Sequence, residues 1–433
     1  MRSATIDDLS ARAAPAKARA AARPADRRRL DRAIIQTPTV GSTLLSKIGM
    51  PGLSQLGFGI VFPMVFLALA VGLIRGRMQL VPRRLLLFLV MVAVLGMVQV
   101  VRGETFSLSS LALMVALGCW FLPSMTDGEI DCEKAIALFC NVSALIALLG
   151  VVQFGLQFVA GHAAAFPLDT WLPDSIRVKN FNDVIPLRYG SSTYKSNGMV
   201  MIEPSFFSQL TALGLVAELT STNRRARLLL YFAALVVAYS GTGLLVLALS
   251  LPVVVIMRKR WDLLIEGALF IAIAAIFADQ LHLDLFTRRI GEFGTAGSSA
   301  DARFVSWMVL FADRLWNSPI HALFGYGIGS FVSGSVGYNT AEMAHTKIIF
   351  EFGVIGATFY FGFILYCIFS SRAPLPLRIA LMTAYFMNGA YSPWIIGLIC
   401  SVLLWPRQDR VATEQDKPAA RRTLAPQFAG SRP

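Results

Sequence analysis

The strongest constraint on this chain is a series of long apolar runs, at about 53–74, 85–101, 108–125, 135–160, 198–222, 262–278 and 346–370. Two further stretches, 228–257 and 377–405, are longer still. The first is interrupted by Ser240-Gly241-Thr242-Gly243, the second by Asn388-Gly389 and Ser392-Pro393. A bilayer core is crossed by about 20 apolar residues in a helix. Glycine or proline at the midpoint of a longer run marks a turn, so each long stretch reads as two short helices. The pattern therefore predicts eleven spans. Only 15% of the residues are charged, against about 25% in soluble domains. That excludes a soluble, disordered or collagenous chain.

The formal net charge is +13, and its placement decides its meaning. Residues 1–32 carry Arg2, Arg12, Lys17, Arg19, Arg23, Arg27, Arg28, Arg29 and Arg32. The tail after Pro406 carries Arg407, Arg410, Lys417, Arg421, Arg422 and Arg432. Both ends are rich in Ala, Pro and Arg and lack apolar periodicity, so 1–32 and 406–433 are expected to be disordered. No aromatic residue interleaves with these arginines, which argues against nucleic acid. The positive-inside rule puts them in the cytoplasm, together with the loops bearing Arg75, Arg77, Arg83 and Arg84, Arg224, Arg225 and Arg227, Arg258, Lys259 and Arg260, and Arg372 with Arg378. Alternation then leaves two long loops outside, about 161–197 and about 279–345. An odd number of spans would separate the two tails, so 33–52 is expected to hide another short or re-entrant helix. The spanning domain is accordingly 33–405, with about 11–12 helices. The cysteines, Cys119, Cys132, Cys140, Cys367 and Cys400, show neither a C-x-x-C pair nor a neighbouring His cluster. No metal site and no disulfide framework are read from them.

Ionisable side chains at mid-depth cost about 2.5–3.5 kcal/mol each on the insertion scale, and proton relays and ion-coupled carriers need them there. The runs look almost free of them, which moves attention from transport to the outside loops. Those loops carry Arg177, Lys179, Arg188, Arg288, Arg289 and Arg303, where few basic residues are expected. A guanidinium suits phosphate or pyrophosphate at a membrane surface; contact with lipid head groups is the plainer alternative. Glu203 precedes Pro204, which suits the first turn of a helix. It could serve as a general base or simply as a carboxylate favoured by a helix N-terminus. His345 opens the last long run and is chemically apt as a base near neutral pH. Lys347 and Glu351 stand four apart and can neutralise each other on one helix face. The stretch Phe324-Gly325-Tyr326-Gly327-Ile328-Gly329 would let a backbone approach a ligand closely.

The order of these pieces resembles the O-antigen ligase and Wzy-type polysaccharide polymerase superfamily. The matching residues are Ser240-Gly241-Thr242-Gly243, Arg303 to Trp307, Ser318-Pro319, Phe324-Gly325-Tyr326-Gly327, His345-Thr346 and Glu351-Phe352-Gly353-Val354-Ile355-Gly356. The Glu203-Pro204-Ser205 segment is similar to the exopolysaccharide, xanthan-type branch. The resemblance implies an all-α, GT-C-like polytopic enzyme of a bacterial inner membrane. Such an enzyme is an inverting, metal-independent glycosyltransferase needing no cofactor. It polymerises undecaprenyl-pyrophosphate-linked repeats at the periplasmic face, beside a flippase and a chain-length regulator. An O-antigen ligase, or a flippase of lipid-linked glycan, is the alternative. The family pattern places an arginine where Arg303 stands and a histidine where His345 stands. Arg303, His345 and Glu203 are thus the expected catalytic residues, and Arg177, Arg188, Arg288 and Arg289 the expected pyrophosphate ligands. Two departures stand out. Gly241 occupies a position where the family often has arginine, and Gly353 follows His345 after only eight residues.

Overall fold

The computed structural model describes residues 24–50, 59–126, 130–179, 181–188, 190–276, 295 and 298–407. The described residues are mostly helical. Its principal helices are α1 (Pro24–Leu44), α2 (Val61–Ile74), α3 (Pro82–Arg102), α4 (Leu108–Cys119), α5 (Cys132–Val159), α6 (Pro204–Thr220), α7 (Arg225–Ala238), α8 (Gly241–Arg258), α9 (Asp262–Ile276), α10 (Ala344–Ser370), α11 (Leu375–Phe386) and α12 (Pro393–Ile399). Among the described residues the named strands are β1 (Met78–Leu80) and β2 (Pro123–Met125), a short antiparallel pair. Four helices, α3 (from Pro82 to Val101), α5, α8 and α10, are long and apolar enough to cross a membrane. α2, α4, α11 and the segment Pro393–Leu404 are shorter and equally apolar. The chain is an all-α protein built as a membrane protein is built.

Local signals set the helix ends. Pro82, Pro204 and Pro393 stand in the first turns of α3, α6 and α12, where the missing N–H costs nothing. Asp131 caps α5, accepting from the Lys134 N–H at 2.9 Å. Both long runs divide as their turn residues predict. α7 and α8 part at Tyr239, which is left-handed at φ 45, and α11 and α12 part between Met387 and Ser392. α6 occupies the centre: every residue of it except Phe206 is buried, against α5, α7, α8 and α11.

α1 is the element the apolar pattern passes over. It begins at Pro24, inside the segment 1–32 expected to be disordered, so the ordered part starts earlier than expected. Asp31, 1% exposed, accepts from the Arg77 guanidinium at 2.7 and 2.6 Å. Beyond the other end, Lys47 donates to Asp169 at 2.7 Å, and the Val178 N–H reaches the Lys47 carbonyl at 3.0 Å. Helix α1 therefore runs through the bundle from the end bearing Arg77 to the end bearing Asp169, and its 21 residues extend about 30 Å. Its buried face mixes Ile34 and Ile35 with Asp31, Thr39, Ser42 and Thr43. Thr39 and Thr43 donate back to the carbonyls of Ile35 and Thr39 at 3.0 and 2.7 Å, which satisfies hydroxyls in a protein-lined interior. Ser42 meets Gly397 of α12, where a Cβ would collide with the Ser42 hydroxyl. Such small and hydroxyl residues let helices approach inside a membrane protein.

The end bearing Arg77 collects the basic loops. Arg84 is drawn inside and donates to the carbonyls of Phe121, Pro123 and Leu404 at 3.4, 3.2 and 3.3 Å. At the same end Arg227 pairs with Glu218 at 3.4 Å. The opposite end carries the segment 161–203 and the short helical turns between Ser298 and Gly334.

Candidate functional site

A cavity of about 820 Å³ opens at the end opposite Arg77, a size usual for ligand sites. Its polar lining includes Lys195, Glu203, Ser205, Arg303 and the turn Ser240–Thr242, and its apolar lining includes Val184, Ile185 and Pro186 from the segment after α5 and Leu244, Leu245 and Ala248 of α8. Leu244 and Leu245 are partly exposed.

Glu203 sits at the N-cap of α6 in extended conformation, with Pro204 fixing the helix behind it. Its Oε1 accepts from the Asn182 N–H at 3.1 Å, and its Oε2 accepts from the Ser205 hydroxyl at 2.8 Å. Arg303 lies on the short helix Ser299–Phe304, capped by Ser298, which accepts from the Asp301 N–H at 3.1 Å. The Arg303 guanidinium stands 3.7 Å from Glu203 Oε2. A hundred residues separate this pair in the chain.

The turn between α7 and α8 is locked onto the first turns of α6. The Thr242 hydroxyl donates to the Ser205 carbonyl at 2.9 Å, and the Gly243 N–H donates to the Ser208 hydroxyl at 3.0 Å. A Cβ on Gly243 would overlap Ser208. Gly241, by contrast, has no atom within 4 Å of where its Cβ would be.

The other expected residues are distributed unevenly. Arg177 is committed to the protein: it donates to the Asp169 carbonyl and the Asp174 carboxylate at 2.8 and 2.7 Å, and stands 3.8 Å from Asp183. Arg188 lies exposed in a surface turn and does not line the cavity. Arg288 and Arg289 lie outside the described residues. His345 is in the first turn of α10, its ring 5.4 Å from that of Trp307 and beside the Phe386 backbone. Met387, the next residue, lines the cavity, so His345 stands beside the wall rather than in it.

Two sequence expectations change here. The glycine-rich stretch approaches the protein's own backbone. Gly353 breaks α10 at φ 62, ψ −171, which leaves helix carbonyls free just before it. The N–H groups of Tyr326 and Gly327 take the carbonyls of Phe350 and Glu351 at 3.1 and 2.8 Å. Buried charge is also present in a span. Glu351, two turns into α10, is fully buried and pairs with Lys347 at 3.4 Å. Lys347 in turn reaches Glu342 at 2.9 Å and lies over the Tyr391 ring.

Sequence reasoning assigned no role to Gln153 or Lys195. Gln153, within the apolar run of α5, is fully buried. Its Oε1 accepts from the Ser196 hydroxyl at 2.7 Å and from the N–H groups of Asn197 and Met199 at 3.0 and 3.1 Å. Its Nε2 donates to Asn197 Oδ1 at 2.9 Å. The signal was available: Asn141, Gln153 and Gln157 are amides in an otherwise apolar run, and such groups mark polar partners.

The cluster behind Asn182 is sensitive to pH. Burial pushes the Asp183 carboxyl up to about 6, against the opposing pull of Lys47 and Arg177. Burial likewise lowers the Lys47 ammonium, and Asp169 offsets part of that. An acid with a raised value holds its proton longer in the folded state than in the unfolded one. Stability should therefore fall as pH rises from about 4 to about 6, by on the order of 2 kcal/mol from this group. Thermal unfolding of the purified protein at pH 4.5 and 7.5 checks this. Asp183→Asn should flatten the difference; an unchanged pH dependence in that variant would remove the assignment.

No protein-family model matches the chain, and no curated protein matches it.

Proposed function

We propose that the chain is a polytopic enzyme of a bacterial inner membrane that polymerises polyprenyl-pyrophosphate-linked oligosaccharide repeats into exopolysaccharide. The observation that carries this reading is the cavity's mixed lining: an Arg303–Glu203 pair 3.7 Å apart shares it with apolar residues that include Val184, Pro186, Leu244 and Leu245. A ligand with a charged head and a long apolar tail fits such a lining. Counting α1 and the short paired helices as spans gives twelve, an even number that would keep the two ends of the bundle on one side. That is the topology a GT-C-like enzyme with a periplasmic site would have.

The chemistry follows from the pair. The acceptor sugar hydroxyl attacks the anomeric carbon of the donor, a new C–O bond forms with inversion, and the bond from that carbon to the pyrophosphate oxygen breaks. Glu203 lines the cavity and takes the hydroxyl proton. Arg303 stabilises the negative charge gathering on the departing pyrophosphate. His345, beside the wall at Trp307, holds the Arg303–Trp307 segment against α10. The test is incubation of the purified protein with lipid-linked repeats. A ladder of products is expected. Transfer of a single glycan to a lipid A acceptor would make it a ligase, and no product with either acceptor would overturn the reading.

A further inference from the structure

Trp316, Ile320 and Leu323 are each nearly half exposed. Ile320 and Leu323 stand three apart on the short helix Pro319–Phe324, so they share one face. All three belong to the stretch 279–345, which the apolar pattern leaves outside the membrane as a loop. The helices packed against them set their depth. Helix Pro319–Phe324 lies against α10 and α3. These two run antiparallel, with Gly356 against Leu95 and the ring of Phe363 5.6 Å from that of Phe88. Gly353, which abuts the Leu323 backbone, is therefore level with about Val98. The apolar span of α3 continues to Val101. At 1.5 Å per residue, Leu323 lies about 4 Å inside the end of that span.

The backbone that follows is built for the same depth. Irregular backbone at membrane depth must find its partners within the protein. The N–H groups of Tyr326 and Gly327 are taken by α10. The Tyr326 carbonyl accepts from the N–H groups of Glu104 and Thr105 at 3.2 and 3.1 Å. The Ile328 N–H donates to Gln99 Oε1 at 2.8 Å, and its carbonyl accepts from the Ser107 N–H at 3.0 Å. A loop in water can leave such groups to the solvent. The polar contact of the short helix lies higher: His321 Nε2 is 2.8 Å from Glu104, beyond the end of α3 at Arg102. An apolar face at acyl depth below a polar rim is the profile of an interfacial helix, and tryptophan is enriched at that level.

We propose that the segment 316–329 is seated in the leaflet at the cavity end of the bundle, with phospholipid acyl chains covering Trp316, Ile320 and Leu323. It is an interfacial hairpin and not a loop in water. The proposal needs only that α3 and α10 cross the bilayer, and it is independent of the reaction assigned to the cavity. The arm that carries Arg303 leads into this hairpin through Trp307 and Phe311, which pack on His345 and Phe350 of α10. The leaflet and α10 together brace that arm.

The probe is a vesicle of phosphatidylcholine and phosphatidylglycerol holding the purified full-length protein. A photoreactive benzophenone side chain replaces Leu323 in one variant. In a second it replaces Leu89, an exposed residue midway along α3. Irradiation followed by intact-protein mass spectrometry should give phospholipid adducts of both at comparable yield. A phospholipid adduct at Leu89 without one at Leu323 overturns the proposal. A crosslinked dimer through Leu323 overturns it too, since a second copy would then cover the face. A second measurement leaves the side chains otherwise native. Lipids brominated in the upper part of the acyl chain should quench the tryptophan fluorescence of the wild type more than that of Trp316→Phe. Equal quenching of the two proteins would place Trp316 out of reach of the acyl chains and remove the hairpin from the leaflet.

Discussion

Arg303→Ala is expected to abolish the product ladder while the protein remains folded in the membrane. The guanidinium stands 3.7 Å from Glu203 on the cavity wall and is about a quarter exposed, so its removal opens space rather than leaving a void in a packed core. The loss should be at least 10²-fold, because donors aimed at developing charge contribute on that scale. Glu203→Gln should show a comparable loss. It keeps the hydrogen bonds to Asn182 and Ser205 within reach but removes the proton acceptor. Arg177→Ala should behave differently, lowering the yield of folded protein before it lowers specific activity, since Arg177 ties three points of one loop together. Product analysis on membranes normalised for folded protein separates these outcomes. A full-length ladder from Arg303→Ala would remove the cavity as the reaction site.

Gly353→Ala is expected to be the most damaging single methyl in the chain. Gly353 at φ 62, ψ −171 and Gly325 at φ 71, ψ −164 both lie where essentially only glycine is found. Strain alone would cost about 1–3 kcal/mol. Space adds to it: a Cβ on Gly353 would overlap the backbone of Leu323 and Phe324, and one on Gly325 the backbone of Glu351. Backbone cannot rotate away as a side chain can. The expected result is loss of the monodisperse peak in detergent for either variant, with Gly241→Ala, which has open space, as the benign control. A stable, monodisperse Gly353→Ala protein would show that the kink is dispensable.

Much of the helical plan is readable along the chain. The splits at Ser240–Gly243 and at Asn388–Pro393 are legible because glycine and proline act locally, through dihedral freedom and a missing N–H. The proline that opens α6 behind Glu203 is legible for the same reason. α1 is not. Its buried residues include Asp31, Thr39, Ser42 and Thr43, and a helix packed among other helices is released from the demand to be wholly apolar. The glycine-rich stretch is half legible: close approach of a backbone follows from the residues, but not what it approaches. Of the expected site residues, Glu203 and Arg303 meet, His345 stands outside the cavity lining against Trp307, and Arg177 turns away into its own aspartates.

The sequence by itself determined the solvent. Apolar helices of this length suit a bilayer, and that depends on composition over a window and not on contacts. Tertiary structure alone decided which charges share a cavity. The pairing of Glu203 with Arg303, the burial of Lys195 and the diversion of Arg177 all depend on distances between segments far apart in the chain. A guanidinium outside the membrane is equally suited to a substrate phosphate or to a neighbouring aspartate. Only its position in the fold chooses between them.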